Sequence, residues 1–212
     1  SGVHSREVKG IERLQNALPD NWLAFTNLEF VMSAGKSREI DVVLISPTRL
    51  FIIDLKDWNG QVVAKDGAWF QNGSHRGKSP VGKITENARN IGLSFEQDIK
   101  KHQKSQKITA PFVHGLVVFT GNCDISKLAP AEREKVLKLD SFVSIITNDK
   151  RNREVFGNVP SIFLKEPLIS GEWKHRINQF FNVSKGNFEP GQKRFAEFMA
   201  DEKEDFEHAQ SL

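Results

Sequence analysis

The chain contains a single cysteine, Cys123, so no intramolecular disulfide can form and a cysteine-built zinc site is excluded. Its six histidines, at positions 4, 75, 102, 114, 175 and 208, include no pair three or four residues apart. A histidine-based zinc site is therefore unsupported as well. No apolar run approaches the roughly 20 residues that span a bilayer, and no charged-then-apolar signal pattern opens the chain. The expectation is a soluble, cytoplasmic protein with no membrane partner, in a reducing or redox-indifferent setting. Internal repeats and low-complexity tracts are also missing. Gly35-Lys36-Ser37 and Gly77-Lys78-Ser79 end like a phosphate-binding P-loop, but the first glycine of that motif is replaced by Phe30 and Asn72 respectively.

What is present is a globular composition: 212 residues, 38% hydrophobic and 27% charged, with 16 phenylalanines. That length supports one core, or one core and an appendage, but not two large domains. The net charge of +3 hides an asymmetry. Residues 189–212 hold seven acidic and three basic residues, a net −4, and the chain before them carries +7. A basic body is compatible with a polyanionic partner and equally with solvated lysines that serve solubility.

Residues Glu7, Ile11, Leu14 and Leu18 recur at helical spacing up to Pro19. Strand-like runs follow at about 22–31, 38–45 and 50–57, the last two joined by Ser46-Pro47-Thr48-Arg49. A hairpin is expected from 61–64 and 68–71 around Lys65-Asp66-Gly67, then a glycine-rich basic loop over 72–79. Ser79-Pro80 caps a long helix to about Lys104, and the apolar run 112–119 reads as a buried strand reached by a parallel crossover. A short helix at 130–137, a strand at 142–147 and a helix at 170–181 complete an α/β body with a mixed sheet. The domain is expected over residues 1–183. Residues 184–212 read as a linker and an acidic amphipathic helix, leading toward a further domain. The Ser1-Gly2 start reads as a cleavage scar, so an excised domain is expected.

The informative stretch runs from Glu39 to Lys56. Ile40, Val42, Leu44, Phe51, Ile53 and Leu55 form one side of its two strands, and Val43, Ile45, Leu50 and Ile52 the other. Asp41, Asp54 and Lys56 interrupt that second side. With the turn centred on Pro47 and Thr48, Asp41 falls opposite Asp54 and Glu39 opposite Lys56. Facing carboxylates lie about 5 Å apart at Cβ, and at an effective dielectric near 20 their repulsion reaches about 3 kcal/mol. A hard divalent cation such as Mg2+ offsets it naturally, since it is held by one or two carboxylates plus phosphate oxygens. Lys56 would stand beside the water to be activated. The competing reading is an ordinary Asp54–Lys56 ion pair near a strand end with Asp41 solvated. Glu7 could join the metal shell, or it could merely favour the start of a helix. His75, Arg76 and Lys78 are either a solvated turn or a phosphate-contacting edge.

These residues resemble the nuclease-related domain, or NERD domain, a branch of the PD-(D/E)xK nuclease superfamily typified by restriction endonucleases. The resemblance rests on Glu7 with Leu14 seven residues on, Gly35-Lys36-Ser37-Arg38-Glu39-Ile40-Asp41, Asp54-Leu55-Lys56 and Gly60, and runs from about Glu7 to Phe119. It implies a restriction-endonuclease-like core: a helix, a three-stranded antiparallel meander, a crossover helix and a parallel strand. It further implies a nuclease using Mg2+ or Mn2+ on DNA with little sequence preference. Asp41, Asp54 and Glu7 would be metal ligands, with Lys56 acting on the water. Two positions depart from the family pattern. Asp54 stands where Glu is common, and Lys83 where Gln often follows the helix-opening proline. Lys83 and Asn87 share a helix face and would support the phosphate. Family members are joined to kinase, helicase or zinc-finger domains, often in bacterial defence. The expected partners are therefore DNA, a fused kinase or helicase domain, and a second copy in a homodimer. A non-catalytic DNA-binding or protein-docking module of the same fold is the alternative. Replacing Asp41 by Ala is expected to abolish cleavage with the fold intact or stabilised.

Overall fold

The computed structural model describes residues 5–31, 37–102 and 109–183. The expected linker and acidic helix at 184–212 lie outside the described residues. Helix α1 (Ser5–Ala17) precedes strands β1 (Leu23–Val31), β2 (Ser37–Ile45) and β3 (Leu50–Lys56), which form the antiparallel meander. Helix α2 (Pro80–His102) then crosses over to β7 (Val113–Phe119), which pairs parallel with β3 from Leu50↔Val113 to Lys56↔Phe119. The hydroxyl of Ser79 accepts from the Val81 N–H at 3.3 Å, which caps α2 as its Ser-Pro start predicts. The restriction-endonuclease-like core is present.

Between β3 and α2 lie β4 (Gly60–Lys65), β5 (Ala68–Gln71) and β6 (Ser74–Lys78), and β8 (Cys123–Lys127) follows β7. These four make a second sheet in the order β6-β5-β4-β8. The expected basic loop over 72–79 is thus mostly strand. Asn72-Gly73 is a two-residue turn with φ of 50° and 81°, and Asp66-Gly67 is its counterpart at 52° and 73°. Positive φ at both central residues is the turn whose twist matches paired strands.

Two further expectations are corrected. The helix expected at 130–137 is divided into α3 (Pro130–Arg133) and a short strand, β9 (Val136–Lys138), which pairs with β7 and completes the order β1-β2-β3-β7-β9. The strand expected at 142–147 is helix α4 (Leu139–Ile146). Leu139, Phe142, Ile145 and Ile146 are its buried residues, a helical spacing that overrides the strand preference of its valine and isoleucines. Helices α5 (Asp149–Phe156), α6 (Ser161–Lys165) and α7 (Gly171–Val183) follow, α7 close to the expected range.

The five-stranded sheet separates two cores. On one face Val43, Ile45, Leu50, Ile52 and Val117 pack with Ile84, Ile91 and Phe95 of α2 and Ile177 and Phe181 of α7. On the other Val42, Leu44, Phe51 and Ile53 pack with Ile11 and Leu14 of α1, Leu18 just past its end, and Phe142 of α4. Helix α2 lies directly on β7: a Cβ at Gly115 would come within 2.6 Å of the Ile84 carbonyl oxygen. Ile40 departs from strict alternation. It joins the α2-side core with Leu28 and Phe30 rather than the core of Val42 and Leu44. The cause is local, because Asn27, between the pairs Thr26↔Val42 and Leu28↔Ile40, has φ of 50° and kinks the seam opposite Asp41. Among the described residues no helix is long and apolar enough to cross a membrane.

Candidate active site

The β2–β3 pairs Val42↔Ile53, Val43↔Ile52, Leu44↔Phe51 and Ile45↔Leu50 fix the register that the Pro47-Thr48 turn implies. The ladder ends one step before Asp41 and Asp54. Beyond it the Leu55 N–H donates to Asp41 Oδ2 at 2.8 Å, so the carboxylate takes the place of a backbone acceptor. Asp54 and Lys56 share the parity of Leu50 and Ile52 and face α2. Lys83 and Asn87, one turn apart on α2, face them in return. Asp41, Asp54, Lys56, Lys83 and Asn87 line one cavity of about 110 Å³, with Glu39 and a wall of Ile40, Ile53 and Ile84.

The cavity is polar, with the ammonium groups of Lys56 and Lys83 and the Asn87 amide on a wall shared with Glu39, Asp41 and Asp54. Asp54 Oδ1 is sealed from solvent and receives no hydrogen bond, although the Lys56 ammonium lies against it at ion-pair range. Asn87 is 1% exposed, and its Oδ1 is likewise buried without a hydrogen bond. A sealed amide oxygen without a hydrogen bond is costly unless something accepts its lone pairs, whereas Asp54 Oδ1 already carries the Lys56 ammonium. An oxygen-seeking cation of the Mg2+ type is such a group, and the donor set of two carboxylates and one amide oxygen fits it. Among the described residues no three His, Cys, Asp or Glu side chains cluster tightly enough to hold a metal on their own. Such an ion would keep several waters or phosphate oxygens in its shell.

The remaining expected site residues are distributed as follows. Glu7 belongs to α1, and its side chain lies outside the described residues. The apolar stripe of α1 packs on the sheet face opposite α2. His75, Arg76 and Lys78 are exposed on β6, and the described lining of the cavity does not include them. The Arg76 guanidinium lies over the Trp58 ring, 5.1 Å from its centroid, and His75 packs edge-on to Phe70. Glu39 has Glu29 on β1 as its Cα partner and lines the cavity together with Lys56 of β3.

Gly60, four residues past Lys56, has a physical reason for its identity. Its φ is +85°, and a Cβ there would lie 2.2 Å from Asn72 Oδ1, the atom that accepts from the Gln61 N–H at 2.8 Å. At the far edge of β3, Asp57 accepts from Arg13 Nη1 at 3.1 Å and from the Thr120 hydroxyl at 3.2 Å, tying α1 to the end of the strand that carries Lys56.

Comparison with known proteins bears on this arrangement. The model of a family described as nuclease-related domain matches residues 4–120. Over 157 residues, 69% of this chain, the sequence is 28% identical to a probable kinase, PglW, of Streptomyces coelicolor. That alignment covers 10% of the relative, so the chain spans about a tenth of the length of the protein it matches. No solved structure matches.

Proposed function

The chain belongs to the nuclease-related domain family, and from that premise we propose a divalent-metal-dependent nuclease that hydrolyses DNA phosphodiesters with little sequence preference. The observation that carries the reading is the convergence of Asp41, Asp54 and Lys56 on one cavity in which Asn87 Oδ1 is sealed without a hydrogen bond and Asp54 Oδ1 meets the Lys56 ammonium. Asp41 and Asp54 would hold Mg2+ or Mn2+, with Glu7 of α1 as a third ligand. The ion, when bound, supplies a Lewis acid for the phosphate and lowers the pKa of water. Lys56 orients the attacking water and stabilises charge developing on the phosphate oxygens. Lys83 contacts the phosphate, and the amide of Asn87 fixes the inner wall. His75, Arg76 and Lys78 supply contacts to the sugar-phosphate backbone, which position a duplex without reading its bases. A cytoplasmic site of action belongs to the same proposal.

The test is incubation of the chain with plasmid and linear DNA in Mg2+, in Mn2+ and in EDTA, beside D41A. Metal-dependent cleavage that D41A lacks supports the reading. Equal cleavage by D41A and wild type overturns it.

A second reading is favoured by an ammonium, Lys83, on the cavity wall. On it the chain is a non-catalytic DNA-binding module of a larger protein that also carries a kinase, as the name of the relative suggests. Salt-dependent DNA binding without turnover in any divalent metal selects this reading.

A further inference from the structure

We propose that Trp58 and Arg76 form a phosphate grip that holds the nucleic-acid backbone beside the cavity, with Trp58 as the positioning residue. The inference rests on the nucleic-acid reading above, in which Arg76 contacts the backbone, and adds the device that aims it: the Trp58 ring and the bulge that lays the guanidinium on it.

Three observations carry it. The pairing of β5 with β6 steps from Trp69↔Gly77 to Phe70↔His75, which leaves Arg76 as an extra residue without a partner. Such a bulge interrupts alternation and re-aims the side chain it carries, a device concentrated at functional edges of sheets. Here it lays the Arg76 guanidinium over the Trp58 ring, 5.1 Å from the centroid.

Arg76 is also exposed, and among the described residues it makes no hydrogen bond or ion pair. Its donors are fixed in direction by the stack and remain available to an anion. Stacking on an indole leaves the guanidinium edge open to bidentate contact with phosphate. Lys78 and Lys83, on the same route from β6 into α2, are likewise without an acidic partner among the described residues.

Trp58, finally, is the outlier among the four tryptophans. Trp22, Trp69 and Trp173 are buried at 6%, 0% and 4% exposure, whereas Trp58 is half-buried and braced edge-on by Trp69 and Phe119. It packs against the core on the α2 side of the sheet, and it follows Lys56 by two residues, which limits its Cα to about 7 Å from that of the lysine. One ring face is already covered by Arg76, so the pair presents charge where a bare indole would present a stacking platform.

The experiment measures binding of a short fluorescein-labelled DNA duplex in EDTA over a series of KCl concentrations, with the intrinsic tryptophan emission followed in parallel. R76A is expected to bind several-fold more weakly and to lower the slope of log affinity against log salt by about one. R76K should keep the slope and still lose affinity, because a lysine carries the charge without the planar stack. W58F should weaken binding as well, and combining it with R76A should cost no more than R76A alone. Duplex should perturb the tryptophan emission of wild type but not of W58F. A wild-type slope in R76A overturns the inference. So does tighter binding of single-stranded DNA by R76A, which would mark Trp58 as a base-stacking platform, and so does an absence of duplex binding altogether. These readouts need no turnover. A chain that binds through Arg76 and never cuts keeps the grip and loses the nuclease; one that cuts while R76A behaves as wild type does the opposite.

Discussion

Leu55 donates its backbone N–H to Asp41 Oδ2 at 2.8 Å, across the seam between the two strands of the candidate site. Asp41 therefore has a structural duty beside any role at a metal. Removing one of two facing carboxylates relieves repulsion, but Ala also strands a partly buried donor, at a cost of about 1–2 kcal/mol. D41A is expected to lower Tm by several degrees. D41N keeps an acceptor and should melt close to wild type. Both should lose DNA cleavage by about 100-fold or more, measured as nicking of supercoiled plasmid in Mn2+.

Lys56 and a cation compete for the same oxygen, Asp54 Oδ1. K56M removes the ammonium without removing the alkyl stem, so Mn2+ should bind the variant more tightly by calorimetry. Turnover should nevertheless fall about 100-fold, because the group beside the attacking water is gone. Looser metal binding in K56M would mean that Lys56 orders the aspartate instead of competing for it.

Gly60 sits at φ +85° with Asn72 Oδ1 in the space a side chain would take. G60A must strain the backbone and displace the Asn72 hydrogen bond, together about 2–3 kcal/mol. Chemical denaturation should show that loss with an unchanged m-value. N72A should remove the steric part of the penalty, leaving G60A less harmful in the double variant than alone.

His114 contributes a pH dependence to stability. Burial first, and then the charges of Arg49 and Lys135, push its pKa down from 6.5 to about 3. Its Nε2 lies 3.3 Å from Arg49 Nη1, an arrangement that requires a neutral ring. The unfolded chain takes up a proton near pH 6.5 and the folded chain does not until near pH 3. The His114 contribution is complete well above pH 6.5 and is lost progressively as the pH falls, by about 2 kcal/mol at pH 5. H114Q should be less stable than wild type at pH 7 and show a shallower loss between pH 7 and pH 5 in urea titrations.

Much of this arrangement is legible in the sequence because alternation and turn chemistry act locally. The parity of Leu50, Ile52, Asp54 and Lys56, with proline in the loop, is enough to place Asp41 near Asp54. The helical spacing of Lys83 and Asn87 is enough to bring them to one face. The failures have equally definite causes. Val136–Lys138 is three residues long, too short to carry a periodic signal, and owes its strand to β7. The residues of α4 combine strand-favouring side chains with helical spacing, and the spacing prevails. Asn72-Gly73 announces a hairpin, but its flanking strand, Ser74–Lys78, has no apolar alternation to support one. The turnover of Ile40 depends on Asn27, a residue on the neighbouring strand, and no reading of β2 alone contains it.

Gly115 does not itself line the cavity, yet it sets the clearance there. Because β7 presents only a hydrogen beneath Ile84, the helix rests at its lowest height over the strands, and Lys83 and Asn87 flank that point of rest. A single methyl group added at position 115 would act as a shim, raising the helix and moving both side chains away from the aspartates. The gap available to an ion and a phosphate is thus adjustable from a remote position that neither of them meets.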